Sequence, residues 1–189
     1  MNKVFLCIFI SAFMCLKLFA IDIDEASVKV HFVGFKTEKR ISVAGVIEQA
    51  EFKFGANSGD IKKILEGTTA SMDFINENTK DKIRERNIAR TFIDKLKNSK
   101  ITAILKDVKG NNFNGKAIAT ITFNNITQDI PMDYELKNGK LIVKGIINMN
   151  KDFDLIESYT MLSRDKQISA LHGKKTHEDV EIYFDVDVK

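Results

Sequence analysis

Tryptophan is absent from this 189-residue chain, proline occurs once, and the two cysteines, Cys7 and Cys15, both fall within the first twenty positions. Past those positions neither a disulfide nor a thiolate is available. Cysteine catalysis and cysteine-ligated zinc are thereby excluded, and the apolar core alone must hold the fold together. An excess of one charge is missing too. The 29 Lys+Arg stand against 26 Asp+Glu, too even a balance for the electrostatic footprint of a nucleic-acid binder. No repeat, low-complexity run or proline-rich linker divides the chain, so a second domain is not expected. Disorder is excluded by what is present, because a nearly neutral chain with 44% hydrophobic residues collapses.

Motifs that carry chemistry are equally sparse. There is no G-x-S-x-G elbow, phosphate loop or dinucleotide fingerprint, and Ser42, Ser71 and Ser163 have no histidine and acid near them in sequence. Of the three histidines, His31, His172 and His177, the last two are five apart, a spacing that does not stack two ligands on one helix face. No catalytic residue, metal site or cofactor is expected, and the protein is expected not to be an enzyme.

The first twenty residues read as a secretory signal peptide: Lys3, the apolar run from Val4 to Leu16, and Ala20 ahead of Asp22 and Asp24. The run is shorter than the roughly 20 residues that span a bilayer, so no stable membrane insertion is expected after cleavage. Loss of Lys3 and Lys17 takes the basic count from 29 to 27 against 26 acids, a net charge of +1 on a domain at 21–189.

Within that domain the dominant period is two, the signature of half-buried strands. Val28, Val30 and Phe32 share a face, as do Val43, Gly45 and Ile47, then Ala50, Phe52 and Phe54 after a slip, then Ala70, Met72 and Phe74. Residues 101–108 are β-branched with an ambiguous phase. Odd positions from Phe113 through Gly115, Ala117, Ala119 and Ile121 to Phe123 form one face. Ile130, Met132, Tyr134 and Leu136 follow. Asn138-Gly139 marks a type I′ hairpin, from which Leu141, Val143, Gly145, Ile147 and Met149 return. In the last strand Val180, Ile182, Phe184, Val186 and Val188 oppose Glu181, Asp185 and Asp187, and charge reversal at Lys116 or Asp185 is expected to matter little. These are eight antiparallel strands with one apolar face each, suited to a closed barrel or a sandwich. An amphipathic helix is expected at about 79–97, capped by Asn78 or Thr79, with Ile88, Phe92 and Leu96 on its inner face. A helical or irregular excursion, 150–177, precedes the last strand; Asp152 to Leu155 read as a strand end or turn and Leu162 to Leu171 as a short helix. Small residues among large ones inside the barrel either fill it or leave a cavity. Periodicity leaves both open.

Several stretches resemble the YceI family of exported, lipocalin-like barrels. The run VHFVGFKTEKRISVAGVIEQAEF (residues 30–52) supplies Phe32, Gly34, Phe35, Lys36, Thr37, Val43 and Gly45. Asn78 to Leu96 is similar to the family's helix, with Arg84, Arg86, Arg90 and Phe92, and with Asn87 where a histidine is common. Lys116 to Pro131 looks like its paired strands. Phe153, Leu155, His172, Gly173, Lys174, Lys175, Thr176, Asp179, Val180 and Glu181 resemble its closing H-x-G-K-T segment and last strand, with His177 where an aromatic is usual. The resemblance covers nearly all of 22–188. It implies a mainly β, eight-stranded lipocalin-like barrel in the periplasm that binds, stores or transports a long polyisoprenoid, quinone-like or related lipid. A homodimer is left open, and a filled barrel without ligand is the alternative. On this reading the ligand meets the inward residues Val30, Phe32, Val43, Ile47, Met72, Phe74, Ala117, Ala119, Ile121, Phe123, Met132, Tyr134, Val143, Ile147, Ile182 and Phe184.

Overall fold

The computed structural model describes residues 20–173 and 175–189, so the expected signal segment lies, but for Ala20, outside the described residues. Alternating apolar and polar side chains make long strands: β1 (Ile21–Lys36), β2 (Ile41–Ile47), β7 (Lys100–Gly110), β8 (Asn114–Phe123), β9 (Ile126–Lys137), β10 (Lys140–Asn148) and β11 (Asp179–Val188). Shorter ones are β3 (Glu51–Lys53), β4 (Ser58–Gly59), β5 (Thr69–Asp73) and β6 (Glu77–Asn78). They form one curled antiparallel sheet in the order β3-β5-β7-β8-β9-β10-β11-β1-β2-β6, with β4 paired to β1. The count of eight therefore needs correction: ten strands lie along the sheet. The reason is local. Positive φ at Gln49 turns the chain between β2 and β3, and short strands such as β4 and β6 carry too few residues to show a period.

Turn chemistry agrees with the sequence where asparagine supplies it. Asn138 and Gly139 have φ of 53° and 73° between β9 and β10, and Asn124 and Asn125 do the same between β8 and β9. The ambiguous phase of 101–108 is explained by a bulge. Asp107 adopts φ 56°, the β7–β8 register shifts between Lys106 and Lys109, and the Glu66 carboxylate accepts from Asp107 N and Val108 N. Ile101, Ala103 and Leu105 then keep one inward phase, and Val108 re-enters the core beyond the bulge.

The two ends of the curl differ. At one, helix α1 (Ile61–Leu65), capped by Asp60, buries Ile61, Ile64 and Leu65 completely. At the other lie four helices: α2 (Lys82–Thr91), α3 (Met149–Phe153), α4 (Ile156–Arg164) and α5 (Lys166–His172). Helix α2 is shorter than the expected 79–97 and is capped by Asp81, whose Oδ1 accepts from Ile83 N and Arg84 N; a 3-10 turn at Ile93–Lys95 follows it. The excursion is three helices. The expected turn at Asp152–Leu155 is the end of α3, closed by Asp154 in the left-handed region, and the break before α5 falls at Asp165, which caps it through Gln167 N and Ile168 N. Asn124 joins this end to the sheet: its Oδ1 accepts from Lys97 N and its Nδ2 donates to Phe153 O.

Candidate functional site

Between the two ends the inward faces enclose a cavity of about 520 Å³, within the range of about 300–1,000 Å³ usual for ligand pockets. Its wall is built by strand phase. On β1, Val30 and Phe32 face inward and Lys29 and His31 outward; Phe32 pairs with Gly45 and Val30 with Ile47 across β2 and with Phe184 across β11. Of the expected contacts, Val30, Phe32, Val43, Ile47, Met72, Phe74, Ala119, Ile121, Phe123, Met132, Ile147, Ile182 and Phe184 line the cavity. Ala117, Tyr134 and Val143 do not: they are buried in the filled end, where the Tyr134 hydroxyl donates to Asn111 O. Phe113, expected at the head of the inward face of β8, precedes the strand and is 68% exposed.

Of the two outcomes that periodicity leaves open for the small residues, the glycines take the filled one. A Cβ at Gly45 would collide with the ring of Phe32, one at Gly115 with Tyr134, and one at Gly145 with the sulfur of Met132. These glycines make room for large neighbours and do not open the cavity. Space is left instead beside Ala70, Ala103 and Ala119, whose side chains are short in a wall otherwise made of rings and branched chains.

Aromatic rings pave much of the interior. Phe74 meets Phe32, Phe92 and Phe123 at centroid distances of 5.8, 5.6 and 5.8 Å, and Phe123 meets Phe153 at 5.8 Å. Phe92 packs edge-on against Tyr159 of α4, and burial pushes the Tyr159 hydroxyl well above the usual phenol range. Leu162 and Ile168 add the apolar faces of α4 and α5. Nothing in the helix-end sequence alone marked Tyr159, Leu162 and Ile168 as wall residues; their phase depends on how α4 and α5 dock.

Polar lining residues gather at the helical end. Lys36, the last residue of β1, is bridged to Thr176, and His177 N donates to Phe35 O, which brings the segment 175–177 against the tip of the β1–β2 hairpin. Asp81, Arg84 and Asn87 of the α2 region face the same space. Lys175 and Gly173 line the cavity and are exposed, as is Ile83, so the cavity opens to solvent here. His177 accepts from Arg40 Nη1 at 3.0 Å through Nδ1 and donates to Thr37 O at 2.9 Å through Nε2, which sets its tautomer. The side chain of His172 is outside the described ones.

Asp185 corrects another expectation. It lies on the outer face of β11 yet is 8% exposed, because His31 Nε2 donates to it at 2.7 Å, Lys140 Nζ at 2.6 Å, and the His31 ring stacks on Tyr183 at 4.4 Å. Burial works to raise its carboxyl, but the hydrogen bonds from Lys140 and His31 prevail and hold it below the usual range. Lys116, by contrast, is an exposed partner of Asp133.

No protein-family model matches the chain, nor does any curated protein. Solved structures do share its fold. BcnA of Burkholderia cenocepacia aligns over 89% of this chain and 99% of its own at 14% identity and a TM-score of 0.60. A polyisoprenoid-binding domain from Saccharophagus degradans, implicated in plant cell wall breakdown, aligns over 90% and 97% at 13% identity and a TM-score of 0.57. The YceI protein of Campylobacter jejuni aligns over 78% and 85% at 17% identity and a TM-score of 0.53. The fold is that of the YceI proteins, the fold that the residue resemblance implied.

Proposed function

We propose that the protein is an exported, periplasmic carrier or store for a long-chain isoprenoid or acyl amphiphile, held with its tail in the cavity, and that it acts by binding rather than by catalysis. One observation carries the reading: a mostly apolar, ring-lined cavity of about 520 Å³ whose charged groups, among the described residues, gather at its open end. Each methylene moved into such a space contributes about 0.8 kcal/mol, so a long chain binds without any reactive side chain. The polyisoprenoid named for the Saccharophagus degradans domain supports an isoprenoid tail. The signal pattern at residues 1–20 supports export, and none of the helices in the described residues is long and apolar enough to cross a membrane.

Mass spectrometry of organic extracts from protein purified out of its own host tests this. The expected result is a stoichiometric isoprenoid or acyl lipid from wild-type protein. If the extract holds none, and neither an isoprenoid quinone nor a fatty alcohol is taken up in a titration, the carrier reading is wrong and the interior merely packs the fold.

A further inference from the structure

The cavity has charge only at its mouth, and that charge is mostly of one sign. Three cations line it there: Lys36, Arg84 and Lys175. Asp81 is the one carboxylate among the described lining residues, and it is already engaged. Its Oδ1 caps α2 and its Oδ2 lies 3.5 Å from Arg84 Nη2, so it offsets one cation and also fills the start of the helix. Among the described lining residues three cations thus stand against one carboxylate, and the rest of that lining carries no formal charge.

Lys36 and Arg84 form the core of this group. Lys36 shares the inward phase of Phe32 and Gly34, so its stem continues the apolar wall and its ammonium comes out at the rim. Arg84 approaches from α2 across the opening, with Nη1 donating to Thr79 O at 3.3 Å. Burial, and then the charge of Arg84, lower the Lys36 ammonium from its ordinary value, and Asp81 works against them. Two like charges held near each other at a half-buried rim repel, and a bound anion relieves that repulsion. Two further carboxyls of this region lie outside the cavity lining: Glu85, which accepts from Lys82, and Glu77, which is pushed up to about 7, first by burial and then by Glu85.

We propose that the mouth selects anionic amphiphiles, with a single apolar chain in the cavity and a carboxylate or phosphate monoester head group between Lys36 and Arg84. This rests on the carrier reading and narrows it to one head-group charge. Hydrogen bonds between charged partners are the stronger kind, and Arg84 offers a planar fork that suits either anion.

Displacement of the neutral probe N-phenyl-1-naphthylamine from the full chain tests it with tail-matched pairs: palmitate against hexadecanol, and geranylgeranyl monophosphate against geranylgeraniol. At least one anion is expected to displace the probe at about tenfold lower concentration than its alcohol in wild-type protein, and the pair that shows this names the head group. In Lys36→Met/Arg84→Met protein the preference is expected to shrink below about threefold while the alcohols still displace the probe, which also reports that the variant is folded. The single variants Lys36→Met and Arg84→Gln give intermediate losses and stand in if the double variant does not fold. If neither member of either pair displaces the probe, the carrier reading fails and takes this proposal with it. Alcohols that compete as well as anions leave the carrier reading standing and overturn the head-group assignment, and so does an anion preference that survives both substitutions.

Discussion

Glu77 stands in β6, beside Ile47 of the cavity wall, with its Oε2 buried and accepting no hydrogen bond. Burial, and then the charge of Glu85, push its carboxyl up to about 7. A carboxyl whose folded-state value is raised stabilises the fold fully below the ordinary value of an unfolded glutamate, and that contribution drains away as pH rises through the folded value. Glu77→Gln is therefore expected to leave stability unchanged near pH 4 and to raise it at pH 8 by about 1–2 kcal/mol, after allowing for solvent at a half-buried site. Thermal melts of both proteins across that range check it, and equal stability at pH 8 contradicts it. Asp185 behaves in the opposite sense. Its hydrogen bonds from Lys140 and His31 hold the carboxylate ionised, so its contribution is present near neutrality and lost in acid. Asp185→Asn is expected to cost about 1–3 kcal/mol at pH 7, because it removes an acceptor from partly buried donors, whereas reversing the exposed Lys116 should cost almost nothing. Urea titrations separate the two. Ala119, with its short side chain in the cavity wall, offers a third handle. Ala119→Phe is expected to fill the space, abolish lipid in the extract and cost about 1–3 kcal/mol of stability.

At the scale of elements, several ion pairs tie the helical end together, and one of them joins α2 to α5. Arg90 of α2 donates to Asp165, the cap of α5, which lies 75 positions further on. The Arg90 guanidinium and the two α5 amides hold the Asp165 carboxyl well below the usual carboxylate range. Arg90→Ala is expected to leave the melting temperature nearly unchanged, to speed amide exchange across residues 156–172, and to release bound probe several-fold faster. Hydrogen-exchange mass spectrometry and a dilution experiment read both, and unchanged exchange argues that the helices are held by packing alone. How legible these elements are in sequence follows from how local their causes are. The β9–β10 hairpin and the inward face of β8 are set by nearest neighbours, and both are readable. The bulge at Asp107 is held by Glu66, forty-one positions away, and leaves only a broken period behind. Lys36 had a local signal, since it extends the phase of Phe32 and Gly34. Arg84, Tyr159 and Ile168 had none, because which face a short helix turns to a sheet depends on docking. What Gly45, Gly115 and Gly145 do was left open for the same reason: whether a small residue leaves a hole depends on the neighbour across the strand.

At the scale of the whole molecule, an occupied cavity adds binding free energy to folding free energy. A lipid present at 100 times its dissociation constant stabilises by about 2.7 kcal/mol, which for a chain of this size is a rise of about 5–10 °C in melting temperature. Calorimetry of host-purified protein before and after delipidation is expected to show that difference, and Ala119→Phe protein is expected to show none. The sheet also joins residues that are far apart in the chain: β1 pairs with β2 beside it and with β11, so that His31 meets Asp185 across 154 positions. Such non-local pairing is slow to form, on a scale of about milliseconds to seconds. One flank of β1 must wait for the last strand to leave the ribosome. Until Phe184 arrives against the stacked rings of Phe52 and Phe54, the wall has a gap and the aromatic lining faces water. A growing chain thus has nowhere to keep a lipid: loading can begin only after β11 has been made, and a premature stop before residue 179 yields a sheet with two ragged borders and no container.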